Sequence, residues 1–280
     1  MSTDSPFRRL LFAVDGSETS RLALPLVAAY ASAWGADLHL LHVHPAAAGP
    51  ASDDVAGALL SDMVRALERV GIAASGQVHI VDREPVGPVI ARLSRHLEAD
   101  LVVVGSHGRT GLEALLPAGV SHVVAADLAT PVLVARAAPG QRPRPGRVLV
   151  AIDASPAAEL ALADAVRVAR PTDAAVRVVH VQEPAGARSP LQLEAERDAR
   201  LVAERGVEAV RRFVLDADAE VVLAGGSIAE AIARAASRFD ADLVVVASRR
   251  PSDLQAFFVG SVTHDLIHVL GLPVLLAHRA

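Results

Sequence analysis

Short apolar runs without polar alternation recur along the chain, and each is followed by a segment of helical periodicity. The first run, Leu10 to Val14, precedes a helical stretch from about Thr19 to Trp34. A second, Leu38 to Val43, is followed by a pattern over Asp53 to Val70 that places Val55, Leu59, Leu60, Met63 and Leu67 on one face. A third strand is expected near Gln77 to Val81, with a helix from Val86 to Glu98. The fourth run is Leu101 to Val104, followed by a helix ending near Asp127, and Pro131 to Val134 closes the unit. Runs of Val, Leu and Ile with no polar face are the pattern of strands covered on both sides. Strict strand–helix alternation requires right-handed crossovers, and these build a parallel sheet with helices on both faces.

The same order is then written a second time. LLFAVDGSETSRLAL (Leu10 to Leu24) matches VLVAIDASPAAELAL (Val148 to Leu162), and LHLLHVHPA from Leu38 matches the stretch from Val176. The hexapeptide ADLVVV occurs identically at Ala99 to Val104 and Ala241 to Val246. TPVLVA from Thr130 aligns with LPVLLA from Leu272. Between the copies lies APGQRPRPG, a composition that neither pairs in a sheet nor buries apolar surface. The expected organisation is therefore a first domain over 1–138, a linker over 139–146 and a second domain over 147–280. Each is a doubly wound α/β domain with a five-stranded parallel sheet of order 3-2-1-4-5. In the second copy the middle helix, Leu191 to Phe213, is longer and highly charged, which reads as a solvated helix.

Composition narrows the chemistry. The 280 residues contain no cysteine, which excludes disulfides, thiol nucleophiles and cysteine-bound metal. There is no lysine either, so all 27 basic residues are arginine and no Schiff-base nucleophile exists. A net charge of −5 gives no electrostatic reason to expect nucleic-acid binding. No apolar run approaches the roughly 18 residues of a membrane span, and the N-terminus lacks a signal core. A cytoplasmic protein is expected.

With strand order 3-2-1-4-5 the direction of winding reverses between strands 1 and 4, and open parallel sheets bind ligands beyond the carboxyl ends at that point. Strand 1 ends there in VDGS (Val14 to Ser17) or IDAS (Ile152 to Ser155), and strand 4 ends in GSHGRTG, Gly105 to Gly111. Glycines after strand 4 let backbone N–H groups approach an anion. The Asp at the end of strand 1 suits sugar hydroxyls or a base amine. These features describe a nucleotide site, with phosphates on the loop and the nucleoside near Asp15. No GxxxxGK[ST] element is present, which excludes a P-loop NTPase. Glycine after a parallel strand also serves simply to turn the chain, so the loop by itself leaves both readings open.

VDGS, ADLVVVGSHGRTGLE and TPVLVA, in this order and spacing, resemble the universal stress protein family in its tandem two-domain form. The resemblance covers essentially the whole chain, once per half. It implies a Rossmann-like, adenine nucleotide alpha hydrolase-like fold in each half and binding of ATP, with Mg accompanying it. The family's nucleotide-binding motif is Gly, two residues, Gly, nine residues, then Gly and Ser or Thr. Carried onto the first copy, it selects Ala13, Asp15, Val43, Gly105, His107 and Gly108. After nine residues, however, Ala118 and Gly119 stand in place of Gly and a hydroxyl, with Ser121 two positions beyond. The second copy keeps Asp153, Val181, Gly260 and Ser261, but Ala247 and Arg250 replace the first two glycines, which is expected to spoil the glycine turn. Arg249 or Arg250 could still pair with an anion there.

The resemblance thus implies a stress-response factor that binds adenine nucleotide, preferentially in the first copy, and acts by binding. The alternative is a nucleotide-free interaction protein with degenerate sites in both domains. Internal pairing of the two copies and a further homodimer are expectations of the same kind. No nucleophile with an adjacent base is visible, so catalysis is not expected beyond slow ATP hydrolysis. His107 would face a phosphate, either donating to it or filling space. His264 and His268 have the i, i+4 spacing of a zinc pair without an evident third ligand, and are read as structural. His39, His42 and His44 crowd strand 2, but only His42 recurs, as His180. That pair is read as hydrogen-bonded strand-end residues, and Ser17 and Ser155 as turn or cap residues.

Overall fold

In a computed structural model, residues 6–46, 50–105, 130–136, 142, 144–183, 190–247 and 261–277 are described. The chain forms two compact units, the first holding strands β1–β5 and the second β6–β10. In the first unit β1 (Arg9–Ala13), β2 (Asp37–Pro45), β3 (Ala74–Val81), β4 (Leu101–Gly105) and β5 (Val132–Ala135) pair in the order β3-β2-β1-β4-β5. All of these pairs described within the unit are parallel, with Leu10 in register with Leu38 on one side and Leu101 on the other. β1 is therefore flanked by β2 and β4, and the winding reverses beside it. Its buried Leu10, Leu11 and Phe12, with Leu38, Leu40, Leu101 and Val103, form the centre of the first core.

The helices connecting these strands are α1 (Glu18–Trp34), α2 (Pro50–Arg69) and α3 (Val86–His96). Ser17 starts α1, its hydroxyl accepting the Ser20 N–H at 3.3 Å. On α2 the buried positions are Ala56, Leu60, Met63 and Leu67, while Val55 is 70% exposed. This corrects the expectation that Val55 belongs to the core face: it stands at the edge of the apolar stripe, beside a groove. β3 begins at Ala74, earlier than its apolar run, because Ser75, Gly76 and Gln77 pair through their backbones with β2 at the edge of the sheet.

In the second unit β6 (Arg147–Ile152), β7 (Ala175–Gln182), β8 (Ala217–Leu223), β9 (Leu243–Ala247) and β10 (Val274–Ala277) repeat the arrangement, ordered β10-β9-β6-β7-β8. Its helices are α4 (Ala158–Ala169), α5 (Pro190–Arg211), α6 (Ile228–Phe239) and α7 (Ser261–Val269). The charged α5 is solvated on one side only, for Ala199, Ala203, Val207 and Val210 are buried. α6 starts at a full capping box between Ser227 and Glu230. The helix expected to end near Asp127 lies outside the described residues. No helix among the described residues is long and apolar enough to cross a membrane.

The Asp of the repeated ADLVVV hexapeptide works at the amino ends of the strands. Asp100 accepts from the Arg8 N–H at 2.8 Å, and Asp242 accepts from Gly146 and Arg147 at 2.8 Å each. Each carboxylate ties the start of the central strand to the start of its neighbour, at the end of the sheet away from the candidate site.

Candidate functional site

The carboxyl end of β1 leads into Asp15, whose carboxylate is organised by its own turn. The Ser17 N–H and the Ser20 hydroxyl donate to Asp15 Oδ1 at 3.0 and 2.6 Å. Partial burial pushes this carboxyl up, but the hydrogen bonds from Ser17 and Ser20 outweigh it and hold it below the ordinary 3.8. Asp15 is therefore a fixed anion at neutral pH, with Oδ2 available as an acceptor. The turn is completed by Gly16 at φ +78°, a left-handed conformation that costs an L side chain strain.

Beside this turn α1 and α2 stand apart over the ends of β1 and β2, leaving a groove of about 620 Å³. Its floor is Asp15, Gly16 and His42. Arg21 and Leu24 of α1 form one wall, and Val55, Leu59, Asp62 and Met63 of α2 form the other. The volume and the mix of apolar walls with a few polar groups suit a small organic ligand. His42 Nδ1 lies 2.9 Å from the Val14 carbonyl and must donate to it, so the neutral ring keeps only an acceptor at Nε2. His44 is buried with its Nε2 2.6 Å from Asp53 Oδ1 in the first turn of α2, fixing that end of the helix.

Gly105 ends β4 against the first turn of α1. A β-carbon there would sit 3.6 Å from Ser20 Cα, an ordinary contact, and the backbone is not left-handed. Ala247 at the matching place is the last residue of β9, and the turn expected to be spoiled lies outside the described residues. Ala13 and Val43 lie where expected, at the ends of β1 and β2, and Val43 pairs with His79 of β3. His107, Gly108, Gly119, Ser121, Arg249 and Gly260 lie outside the described residues, as do Ala118 and Arg250. Ser261 is the first residue of α7.

The second copy repeats the carboxylate turn, with a different helix seat beside it. The Ser155 N–H and hydroxyl donate to Asp153 Oδ1 at 3.0 and 2.5 Å, and His180 Nδ1 lies 3.0 Å from the Ile152 carbonyl. The histidine pair is thus hydrogen-bonded at the strand ends, as its recurrence implies. Val181 is in register with Val222 at the edge of the sheet. α5, however, meets the sheet at Gly206. A β-carbon there would fall 2.6 Å from Ile152 Cδ1, 3.0 Å from Val178 Cγ1 and 3.7 Å from Leu162 Cδ2. These three are the counterparts of Val14, Leu40 and Leu24, and Leu24 lines the first copy's groove. The first copy places its close-approach glycine elsewhere, at Gly76 on β3, 3.3 Å from Leu60 Cβ for an added β-carbon. α2 packs on β3 and β2, whereas α5 packs on β7 and β8 and at Gly206 also reaches Ile152 of β6 and Leu162 of α4. A glycine inside a charged helical run was the available signal for this difference.

His264 and His268 pack ring against ring at 4.4 Å, and no group of three His, Asp or Glu side chains gathers for a metal among the described residues. Magnesium, if it accompanies a nucleotide, would arrive on the phosphates.

Comparison with known proteins agrees with the repeat. The model of the universal stress protein family matches twice, over residues 6–136 and 145–278. Universal stress protein Rv2005c of Mycobacterium tuberculosis is 31% identical over 202 residues, covering 69% of this chain and 66% of its own length. Universal stress protein Rv2623 of the same organism is 35% identical over 136 residues, covering 45% and 44%. The crystal structure of a universal stress protein from Archaeoglobus fulgidus superposes with a TM-score of 0.75 at 20% identity, over 100% of this chain and 99% of that one, a likeness of fold. With both halves matched and the five-stranded order present in each, the chain belongs to the universal stress protein family.

Proposed function

We propose that the first copy binds an adenine nucleotide and that the protein acts through this binding rather than by turnover. The observation that carries the reading is the 620 Å³ groove at the carboxyl end of β1, with the Asp15 carboxylate already held at its floor. A preorganised acceptor beside apolar walls fits ribose hydroxyls or an amino-purine, with the Gly105 strand end next to it for the phosphates. The second copy serves as a partner fold, since α5 closes on Ile152 through Gly206.

Calorimetric titration with ATP and Mg²⁺ tests this. One nucleotide per chain is expected, with affinity lost in Asp15→Ala and kept in Asp153→Ala. Absence of heat at high protein concentration, or two equal sites per chain, would refute it. Phosphate release above that of Asp15→Ala would remove the non-catalytic part of the reading.

A further inference from the structure

The polar side chains lining the groove are Asp15, Arg21, His42 and Asp62. Two are carboxylates, which repel an anion. The third, His42, donates its Nδ1–H to the Val14 carbonyl and offers only a lone pair at Nε2 when neutral. Arg21 is the one with N–H donors to give. It is exposed in the first turn of α1, and its guanidinium forms no hydrogen bond or ion pair with any described residue. Asp62 across the groove does not hold it, because that carboxylate is engaged by Arg65 at 2.5 Å. At the same position of α4 the second copy has Glu159, where the local charge is reversed.

We infer that Arg21 selects for an anionic ligand in this groove, pairing with a phosphate of the nucleotide while Asp15 holds an uncharged polar part. The inference rests on the nucleotide reading above and adds to it the residue that recognises charge. A guanidinium offers two parallel N–H donors matched to phosphate oxygens, and with no lysine in the chain any permanently charged side-chain cation in the site must be an arginine. The assignment also explains how a groove floored by Asp15 tolerates a phosphorylated ligand: the cation offsets the repulsion the carboxylate would otherwise exert.

The test is a titration of wild type, Arg21→Lys, Arg21→Gln and Arg21→Glu with ATP, AMP and adenosine at low and high salt. Because Arg21 is exposed, the variants are expected to melt with the wild type. If the Glu variant does not fold, the Gln variant carries the measurement. Arg21→Gln is expected to lose roughly tenfold in ATP affinity and Arg21→Glu more, with adenosine nearly unchanged and Lys intermediate. The loss is expected to shrink as salt rises. Equal losses for ATP and adenosine would overturn the inference, since they would mean packing or stacking rather than charge recognition. Unchanged ATP binding in both variants would overturn it while leaving the nucleotide reading intact. A wild type that binds none of the three ligands would overturn both.

Discussion

The two copies place an aspartate at the same bend and organise it with the same serine, yet the surroundings differ: around Asp15 the chain leaves a groove between its first two helices, while beside Asp153 the matching helix closes on Ile152. The cause is not the aspartate turn but the helix that follows strand 2. α2 is brought close to the sheet by Gly76, out on the edge strand, and stands away from α1. α5 packs on β7 and β8 and is brought by Gly206 against Ile152 of β6 and Leu162 of α4. Smaller differences point the same way. Gly16 is left-handed where Ala154 is not, Ser20 supplies a second hydroxyl to Asp15 where the second copy has Ala158, and Arg21 stands where Glu159 does.

The largest expected effect comes from forcing α5 off its seat. Gly206→Leu introduces a side chain where even a β-carbon lies 2.6 Å from Ile152. Overpacking of this kind typically costs about 1–3 kcal/mol, and the upper end is expected because Val178 crowds the same point. Helix propensity favours leucine over glycine by somewhat under 1 kcal/mol and offsets only part of this. Urea denaturation monitored by far-UV dichroism measures the loss. A variant as stable as wild type would show that α5 can retreat at no cost, and the distinction between the two helix seats would collapse.

An intermediate effect is expected from giving the first copy the second copy's residue at position 20. Ser20→Ala removes the 2.6 Å bond to Asp15, with a net loss of about 0.5–1 kcal/mol at neutral pH after the gain in helix propensity. The sign with pH follows from the depressed carboxyl of Asp15. Its stabilising contribution is fully present above the ordinary aspartate value and is lost as pH falls through the lower folded value. The gap between wild type and variant is therefore expected to close on acidification. A gap that stays constant down to the acid limit would mean that Ser20 acts by packing alone.

Much of this architecture was legible in the chain, and the misses share a cause. Strands buried on both faces announce themselves as Val- and Leu-rich runs, and the duplicated blocks fix their order, so the parallel sheets and the location of Asp15 followed directly. β3 was foreseen late because an edge strand needs only backbone pairing, which Ser75 to Gln77 provide without apolar side chains. Val55 was placed in the core because periodicity marks a stripe without distinguishing a packed face from a groove wall. The role of Gly206 required knowing which strand α5 crosses. Arg21 carries no signal in the sequence, because a lone arginine in a helix usually lies on a solvated face.

The smallest effect tests the weight given to the loop glycines. Gly105→Ala makes the end of β4 resemble Ala247, and the added methyl meets Ser20 at 3.6 Å or more, without a left-handed backbone to strain. Stability is expected to change by no more than about 0.5 kcal/mol, and upward, because alanine narrows the unfolded ensemble. Any loss of ATP affinity in this variant would then have to arise from the approach of the ligand itself, since the fold gives the methyl room. A fall in ATP affinity with adenosine unchanged would place the phosphates against Gly105; equal affinity for both ligands in variant and wild type would shift the phosphate contact away from β4 and onto the Arg21 side of the groove. The substitution that changes the fold least is thus the one that reports most directly whether the phosphate lies against the end of β4 or beside Arg21 in the groove.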